Sequence, residues 1–243
     1  MTPSNKRYAR QIILPAIGEA GQTRLLDSSV LVIGAGGLGT PASLYLASSG
    51  VGQLLINDFD TVDESNLPRQ ILYRDSDLQK AKAITTAERL QALNPDIKAI
   101  AIGERLTRES LPELITAVDA VLDCTDNFSS RWLINELSYR YNKPLITGAA
   151  IRWEGQVSVF TSGGKPCYRC LYSEEDESLN DCTGQGIVAP VAGTVGTMMA
   201  TETIKTLLGI ASDLNGKLWT YDGQTGSSRS IAIPANPDCP VCG

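Results

Sequence analysis

The residues of this chain whose types and spacing most directly suggest chemistry lie in a glycine-rich segment near the N-terminus. Residues 34–39, with the sequence GAGGLG, follow the β-branched run of residues 30–33. Glycines let backbone amides approach a phosphate closely, and the amides at a helix N-terminus favour an anion. Asp58 lies 19 positions after Gly39, at the end of the next predicted strand, where its carboxylate can accept hydrogen bonds from ribose hydroxyls. This spacing predicts a nucleotide site, and it does not choose between NAD and ATP.

Two C-x-x-C pairs form the second group of residues with chemical potential. They are Cys167 with Cys170 and Cys239 with Cys242. Four thiolates are the right number for a closed tetrahedral zinc site, which needs no histidine. The two pairs are separated by 68 residues, far more than in a zinc ribbon, and such pairs also serve as redox dithiols. The spacing therefore leaves open both a structural zinc site and a pair of dithiols.

Two further cysteines lie outside these pairs. Cys124 ends an apolar run and is predicted to be a small buried core residue. Cys182 lies in a polar loop after the acidic run of residues 174–178, which is predicted to be solvated. Neighbouring acids raise the pKa of a thiol, so the surroundings of Cys182 count against a reactive thiolate. An inert loop thiol and a covalent role both remain open for Cys182.

The chain has no histidine, and this absence excludes several classes of site. Ser-His-Asp and Cys-His nucleophilic catalysis, histidine-ligated catalytic zinc, histidine-bound haem and imidazole proton relays all need that ring. Any catalysis must therefore use carboxylates, Lys, Arg, Cys, backbone amides or a bound metal.

Length and composition indicate a globular protein rather than a disordered or fibrous one. The 243 residues are 42% hydrophobic and 20% charged, with a net charge of −6. An acidic balance gives no general attraction to nucleic acid or to anionic membranes. Neither a membrane-spanning apolar stretch nor the apolar core of a signal peptide is present, so we expect a cytoplasmic location.

The elements that must position these residues alternate between strands and helices. We predict strands at residues 30–33, 53–58, 97–102, 117–123 and 144–147, and helices at residues 40–50, 77–93 and 129–141. Alternation of this kind predicts a Rossmann-like α/β fold with a parallel sheet covered on both faces. From residue 155 the strands alternate apolar and polar residues, which predicts antiparallel strands at 156–160, 217–221 and 228–233 beside a helix at 192–208. The first 28 residues are predicted to be a helical arm that Pro15 interrupts.

One string favours a rival interpretation, a nicotinamide-dependent dehydrogenase. Tyr139 and Lys143 fit the Y-x-x-x-K pattern of a hydride-transfer dyad. Such a dyad needs both residues one turn apart in a helix, whereas Pro144 biases Lys143 away from helical geometry. We therefore interpret the string as a helix end.

Eight ordered strings carry a resemblance to a known family across nearly the whole chain. They are RYARQIIL (7–14), VLVIGAGGLG (30–39), DFDTV (58–62), SNLPRQ (65–70), VLDCTDN (121–127), GAAIRWEGQ (148–156), CYRC (167–170) and CPVC (239–242). With them the chain resembles the ThiF/MoeB/HesA adenylyltransferases, bacterial relatives of ubiquitin-activating enzymes. The resemblance implies a single domain over residues 1–243, with an N-terminal arm at 1–28 and a region at 167–242 that carries the zinc ligands and a crossover loop.

The resemblance also implies roles for individual residues. It implies that the glycine loop binds the ATP phosphates and that Asp58 binds the ribose. Three polar residues and a lysine are expected to line the phosphate path, and a strand-end aspartate is expected to bind magnesium. The residues concerned are Gly34, Gly36, Gly37, Gly39, Asp58, Ser65, Asn66, Arg69, Lys82, Asp126 and Asn127. Pro68 departs from the family, which usually has glutamine there.

Three further roles follow from the same resemblance. Arg10 is expected to cross a homodimer interface to the partner's ATP. Cys167, Cys170, Cys239 and Cys242 are expected to hold structural zinc, and Cys182 stands where the family carries its covalent sulfur-transfer cysteine. Taken alone, Arg10 and Lys82 fit solvated surface charges, and Asp126 with Asn127 fits an ordinary turn.

The activity that the resemblance implies is consistent with the absence of histidine. A C-terminal Gly-Gly carboxylate of a ubiquitin-like sulfur carrier would attack the α-phosphate of ATP, and this carboxylate is already ionised at neutral pH. Cations and magnesium would stabilise the transition state and the leaving pyrophosphate, with no general base. The carrier could be the thiamine sulfur carrier or the small subunit of molybdopterin synthase. Because the given sequence ends at Gly243 without a rhodanese domain, we expect a separate sulfur donor, a cysteine desulfurase or a rhodanese. A non-catalytic, zinc-stabilised nucleotide-binding scaffold is the alternative outside the enzymes.

Overall fold

A computed structural model describes residues 6–172 and 186–243 of the chain, and within them eight strands form one mixed sheet. The strands are β1 (Ser29–Ile33), β2 (Gln53–Asn57), β3 (Lys98–Ile102), β4 (Ala120–Asp123), β5 (Leu145–Ile151), β6 (Glu154–Phe160), β7 (Lys217–Asp222) and β8 (Ser227–Ala232). Their order across the sheet is β3-β2-β1-β4-β5-β6-β7-β8. The first five are parallel and the last three join antiparallel, which confirms the predicted mixed sheet.

Helices cover both faces of this sheet. They are α1 (Ala9–Ile12), α2 (Gly18–Asp27), α3 (Gly39–Ser48), α4 (Lys82–Leu93), α5 (Leu111–Thr116), α6 (Phe128–Arg140), α7 (Tyr168–Leu171) and α8 (Ala189–Leu208). Alternate residues of the buried strands point to opposite faces, so each face has its own apolar cluster. Val32 packs with residues of α3 and α8 on one face, and Leu31 packs with residues of α5 and α6 on the other. No helix among the described residues is long and apolar enough to cross a membrane.

The N-terminal segment forms two short helices with a break at Pro15, as predicted. Tyr8 is buried, and its hydroxyl accepts a hydrogen bond from the Asn94 side chain at 2.8 Å. Ile13 and Leu14, at the break, are exposed by 74% and 50%. The arm is therefore anchored by a tyrosine, while two of its apolar side chains face away from this protomer.

The predicted start of α4 at residue 77 was wrong, because the helix begins at Lys82. Asp77 instead ends a single 3₁₀ turn and accepts a hydrogen bond from the Arg74 backbone at 2.9 Å. Gln79 then takes a positive φ of 67°, and Ala81 makes a bridge with Thr61. These contacts between segments hold residues 77–81 out of the helix, although their periodicity continues it. The short helices α5 and α7 were not predicted, because four to six residues carry too little periodicity.

Candidate active site and cysteine centre

Three parallel strands end side by side at one edge of the sheet. Ile33, the last residue of β1, pairs in register with Asn57 of β2 and with Asp123 of β4. The chain leaves β1 towards β2 on one side and comes back to β4 on the other, so β1 lies at a topological switch point, where open α/β sheets bind ligands. We call the residues there the strand-end edge: residues 34–39, 58–70, 82 and 124–127.

The glycine loop takes its shape from two glycines and leaves room at a third. Gly34 has a φ of +98°, and a Cβ on Gly39 would lie 1.8 Å from the Gly34 carbonyl oxygen, so neither position accepts a side chain. A Cβ on Gly36 would meet nothing closer than the Gln70 Nε2 at 3.7 Å. The N-terminus of α3 has no side-chain cap. The loop can therefore present helix amides to an anion, with open space over Gly36.

Asp58 and Tyr73 hold the second residue of this loop from both sides. The Ala35 amide donates to Asp58 Oδ2 at 2.8 Å, and the Tyr73 hydroxyl donates to the Ala35 carbonyl oxygen at 2.8 Å. Asp58 Oδ1 accepts from the Asp60 amide at 2.9 Å. Burial raises the pKa of Asp58, although the Asp60 amide and the nearby Lys82 act in the opposite direction. Each carboxylate oxygen keeps a further lone pair, which suits the acceptance of ribose hydroxyls.

Lys82 begins α4 and is directed to the same edge by a bridge between two segments. Its backbone amide donates to the Asp60 carbonyl oxygen at 2.9 Å, and its Nζ lies 3.3 Å from Asp60 Oδ2. Lys82 is only 6% exposed, whereas the Asp60 side chain is 56% exposed. Because the Asp60 carboxylate beside the buried Lys82 ammonium is solvated, a further anion such as a phosphate would stabilise the ammonium charge. This position contradicts a solvated surface lysine.

A 3₁₀ turn places Ser65, Asn66 and Arg69 along the edge. The turn spans Glu64–Asn66, and the Ser65 hydroxyl donates a hydrogen bond to Asp63 Oδ1 at 2.6 Å. Arg69 Nη1 donates to the Ser65 carbonyl oxygen at 2.8 Å. A Cβ on Gly37 would lie 3.5 Å from Arg69 Cγ, so the arginine stem runs beside the glycine loop.

Pro68 fits this turn without the loss of a backbone hydrogen bond. The Arg69 and Gln70 amides both donate to the Asn66 carbonyl oxygen, at 3.1 and 2.9 Å, and the proline nitrogen is not needed as a donor. Gln70 is buried beside the loop, and its Oε1 has no hydrogen-bond partner among the residues described. This buried amide leaves a polar atom next to the space over Gly36 that a ligand could satisfy.

The loop after β4 carries an exposed carboxylate and a helix cap. Asp126 is exposed, and Asn127 caps α6 by accepting from the Ser130 amide at 2.9 Å. The Asn127 Nδ2 lies 3.4 Å from Asp126 Oδ1. The Asn127 side-chain oxygen is therefore used as the cap of α6 rather than in an ordinary turn, whereas the Asp126 carboxylate faces solvent.

Sequence reasoning missed the buried polar group beneath that loop. Asp123 ends β4 with 1% exposure and accepts from the Thr125 amide at 3.0 Å, the Thr125 hydroxyl at 2.7 Å and the Thr147 hydroxyl at 3.1 Å. Burial raises its pKa, and the Arg131 guanidinium acts to lower it. The only sequence signal was an acidic residue at the end of an apolar strand, which does not reveal its partners.

Arg10 does not belong to the strand-end edge of its own protomer. It is exposed on α1, and the next residue, Gln11, donates to the Ser49 carbonyl oxygen at 3.0 Å, at the C-terminal end of α3. The glycine loop lies at the N-terminal end of that helix. The ten residues of α3 span about 15 Å. The structure thus separates Arg10 from the other predicted site residues.

The four cysteines of the two C-x-x-C pairs meet in one place, which we call the cysteine centre: Cys167, Cys170, Cys239 and Cys242. Their sulfur atoms all lie within 4.8 Å of one another. Sγ of Cys167 and Cys239 are 3.7 Å apart, and Sγ of Cys170 and Cys242 are 3.3 Å apart. Sulfur atoms at the corners of a tetrahedron with metal–sulfur bonds of about 2.3 Å are about 3.8 Å apart. The set therefore fits one tetrahedral metal ion, and the cysteines are not disulfide-bonded.

Amide groups outside the two C-x-x-C pairs donate hydrogen bonds to sulfur atoms of this centre. Asn135 Nδ2 donates to Cys167 Sγ at 3.5 Å, and the Asn236 backbone amide donates to Cys170 Sγ at 3.5 Å. Donors of this kind stabilise thiolates and orient metal ligands. The centre thus has partners outside its four ligands.

The structure bears differently on the predictions for the two remaining cysteines and for the Y-x-x-x-K string. Cys124 is buried, as predicted, and burial raises the pKa of its thiol well above the ordinary value. Cys182 and the acidic run of residues 174–178 lie outside the described residues. α6 ends at Arg140, and Asn142 takes a φ of 55°, so Tyr139 and Lys143 do not share a helix. The described part of the chain therefore does not support the hydride-transfer dyad.

Comparison with known proteins gives a consistent set of relatives. A family model described as the ThiF family matches residues 8–241. The chain is 47% identical over 238 residues to the sulfur carrier protein ThiS adenylyltransferase of Escherichia coli (strain K12), covering 98% of this chain and 94% of that protein. It is 44% identical over 238 residues to the molybdopterin-synthase adenylyltransferase of the same organism, covering 98% and 96%.

A solved structure has the same fold. The crystal structure of E. coli MccB with ATP superposes with a TM-score of 0.87 at 25% identity, covering 100% of this chain and 75% of that chain. The fold of this chain therefore recurs in a protein whose structure contains ATP.

Proposed function

The chain belongs to the ThiF family, and from that membership we propose that it adenylylates the C-terminal Gly-Gly carboxylate of a ubiquitin-like sulfur-carrier protein, with ATP as donor and pyrophosphate as leaving group. One observation carries the proposal. The glycine loop, Asp58, Arg69, Lys82 and Asp126 come from separate segments and converge on the carboxyl ends of β1, β2 and β4. The relatives named as adenylyltransferases favour ATP over NAD as the nucleotide.

The proposed reaction needs no proton transfer. A carboxylate oxygen of the carrier forms a bond to the α-phosphorus of ATP, and the bond from that phosphorus to the bridging oxygen breaks. The products are an acyl-adenylate and pyrophosphate, and the nucleophile is ionised at neutral pH. Catalysis then depends on positioning and on charge stabilisation by Arg69, Lys82 and the amides of residues 34–39. A chain without histidine can carry out every step.

Asp126 fits a magnesium ligand in this scheme. Magnesium prefers hard oxygen ligands and retains several waters, so one or two carboxylates together with substrate phosphates suffice. The exposed Asp126 carboxylate lies on the same edge as the glycine loop and meets that requirement. Bound magnesium would neutralise phosphate charge. Asn127 positions the start of α6 and keeps its amide nitrogen towards Asp126.

The cysteine centre fits structural zinc. Four soft sulfur ligands leave no open coordination position, and three of the four cysteines are buried. Such an ion would fasten the last residues of the chain to α7, across the 72 positions that separate Cys167 from Cys239.

Arg10 is proposed to act on the ATP of a partner protomer. Its own glycine loop is about 15 Å away along α3, and the apolar side chains of Ile13 and Leu14 are exposed beside it. We propose a two-fold dimer that covers these side chains and in which Arg10 of each protomer reaches the other's strand-end edge. Homodimerisation is part of this proposal.

Cys182 is proposed for the later sulfur step, in which it becomes joined through sulfur to the C-terminal carbonyl carbon of the carrier and AMP leaves from the acyl-adenylate. The bond forms either directly, as a thioester, or as a reducible acyl-persulfide after a persulfide-bearing donor has transferred a sulfur atom to the Cys182 thiol and left as its own thiol. The variant Cys182→Ala should keep ATP–pyrophosphate exchange and lose any reducible conjugate between enzyme and carrier. If the parent protein never forms such a conjugate, Cys182 has no covalent role. The sulfur donor is expected to be a cysteine desulfurase or a rhodanese. The cytoplasmic location of this protein stays a prediction.

The experiment that tests the proposed function is ATP–pyrophosphate exchange with purified carriers. Labelled pyrophosphate enters ATP only if the acyl-adenylate forms reversibly, so we expect exchange with the thiamine carrier, the molybdopterin-synthase small subunit, or both. A carrier without its last glycine is the matched control and should give none. Absence of exchange with every Gly-Gly carrier would contradict the proposal. In that case NADH binding would favour the dehydrogenase, and ATP binding alone would favour the scaffold.

A further inference from the structure

Helix α6 lies between the two candidate metal sites. The loop with Asp126 and Asn127 precedes its first turn, and its buried side chains reach the cysteine centre. Arg131 and Asn135 are one turn apart, at positions i and i+4, so they project from the same face of the helix. They are 7% and 2% exposed, and both contact Tyr168, the residue after Cys167.

Arg131 is the contact on the side of the Asp126 loop. Its Nε and Nη2 donate to the Thr125 carbonyl oxygen at 3.1 and 2.5 Å, directly before Asp126. Its Nη2 also lies 3.4 Å from the Gly148 carbonyl oxygen. The buried Asp123 carboxylate holds the amide and hydroxyl of the same threonine. Thr125 is thus clamped by a buried cation and a buried anion, and the orientation of the next residue depends on both.

Asn135 is the contact on the side of the cysteine centre. Its Nδ2 donates to Cys167 Sγ at 3.5 Å, and its Oδ1 accepts from the Tyr168 amide at 3.0 Å. The Tyr168 hydroxyl lies 3.4 Å from Arg131 Nη1. Tyr168 is therefore held by its backbone at Asn135 and by its hydroxyl at Arg131. Its ring is buried against Phe160 and Tyr172, which leaves it little freedom to rotate.

We propose that Tyr168 and Arg131 are positioning residues that connect the cysteine centre to the magnesium-binding loop and hold Asp126 in place for magnesium–ATP. This inference rests on the proposed function and extends it by giving the cysteine centre an effect on the strand-end edge. The continuous path runs from Cys167 through Tyr168 to Arg131 and the Thr125 carbonyl group. Asp58, the proposed ribose contact, directly follows β2 and lies outside this path. Loosening the path should weaken magnesium-dependent binding and leave magnesium-free ATP binding intact.

The test compares two pairs of variants on the full-length, zinc-loaded protein. Tyr168→Phe removes only the hydroxyl, and Arg131→Lys keeps the charge and removes the planar fork. The matched controls are Tyr141→Phe, a partly buried tyrosine next to the same apolar cluster, and Arg140→Lys, an exposed arginine of the same helix. For each protein, ATP affinity is measured by calorimetry with and without magnesium. Zinc content and Tm are also measured.

The expected result is a selective change in magnesium dependence. The magnesium concentration that half-saturates the enhancement of ATP binding should rise about fivefold for Tyr168→Phe, which loses one long hydrogen bond to the guanidinium. It should rise about tenfold or more for Arg131→Lys, which loses the forked hydrogen bonds to the Thr125 carbonyl oxygen. ATP affinity without magnesium should stay within about twofold, zinc should be retained, and both controls should match the parent. Asn135→Ala should raise the magnesium requirement as well, because it releases the Tyr168 backbone.

Two outcomes would overturn the inference. An unchanged magnesium requirement in both Tyr168→Phe and Arg131→Lys would show that the contacts only fill the core. An equal loss of ATP affinity with and without magnesium would show a general structural effect. Because the readout is ATP binding, it needs no carrier, so a failure of carrier adenylylation in the exchange assay would be distinguishable from a failure of this connection.

Discussion

The strand-end edge and the cysteine centre differ in how far their functional side chains are exposed to solvent. At the edge, Asp126 is exposed and Arg69 is half-buried, and their positions follow from backbone turns that begin where parallel strands stop. At the centre, three of the four cysteines are buried, and the two pairs come from segments 72 positions apart. A substrate site must stay open to exchange its ligand, whereas a structural metal must be shielded from water to hold the chain together.

The two regions also differ in what defines their geometry. Ala35 at the edge is held by hydrogen bonds to the Asp58 carboxylate and the Tyr73 hydroxyl. The sulfur atoms of the centre accept hydrogen bonds from Asn135 and Asn236, and a metal ion's own bonds to the four sulfur atoms would complete the geometry of the centre. We therefore expect changes to ligand-facing groups at the edge to reduce activity with little loss of stability, and changes at the centre to reduce stability first.

The largest effect should follow loss of a cation at the edge. Lys82→Met keeps a buried side chain of similar length and removes the ammonium group, so ATP–pyrophosphate exchange should fall about 10³-fold, the upper part of the range for loss of one transition-state donor. Tm should change little. Lys80→Met is the control, because Lys80 is largely exposed and pairs with Asp77. Exchange within tenfold of the parent for Lys82→Met would remove Lys82 from the phosphate path.

The next largest effect should follow loss of the cysteine centre, which tests whether bound zinc cross-links two distant segments of the chain. Cys239→Ser combined with Cys242→Ser should abolish zinc binding, measured by metal analysis. A cross-link that closes a loop of this length is worth about 4 kcal/mol, which corresponds to a fall in Tm of about 10 °C for a domain of this size. Cys124→Ala, at a buried cysteine outside the centre, should retain full zinc. Zinc retained by the double variant would refute the assignment of the ligands.

A pair of glycine variants separates the shape of the loop from its contact with ligand. Gly36→Ala meets nothing closer than 3.7 Å, so it should leave Tm unchanged and weaken ATP binding about tenfold, because the methyl group occupies the space for a phosphate. Gly39→Ala places its Cβ 1.8 Å from a carbonyl oxygen and should lower Tm. Gly103→Ala, with nothing within 4 Å, is the control. Unchanged ATP affinity in Gly36→Ala would move the phosphates away from this loop.

The smallest effect concerns Asn127, whose side-chain oxygen caps α6 and whose side-chain nitrogen lies beside Asp126. Asn127→Ala removes the cap of α6 and should lower the free energy of unfolding by about 1 kcal/mol, or Tm by about 3 °C. Asn127→Ser keeps a capping oxygen and should stay within about 1 °C of the parent. ATP affinity of the serine variant then isolates the contribution of the amide nitrogen. Equal losses of Tm in both variants would contradict the capping role.

Local features of the edge were predictable from the sequence. The glycine loop and Asp58 were identified because a strand, a tight turn, a helix and a second strand follow one another within about 30 residues. The start of α4 was not predictable, because the Thr61–Ala81 bridge joins two segments and overrides the periodicity of residues 77–81. Asp123, Arg131 and Tyr73 were missed for a related reason, since each is defined by partners that packing brings together.

The residue types alone determined which chemistry is available to this protein. A chain without histidine, with a glycine loop, an acidic strand end and two C-x-x-C pairs, is restricted to cations, carboxylates, backbone amides and soft metal ligands. The tertiary structure decided which of these residues meet. It gathered the four sulfur atoms, separated Arg10 from its own glycine loop, and placed Tyr168 and Arg131 between the two sites. Spacing along the chain dictates only local geometry, whereas contacts between distant segments depend on how the whole core packs.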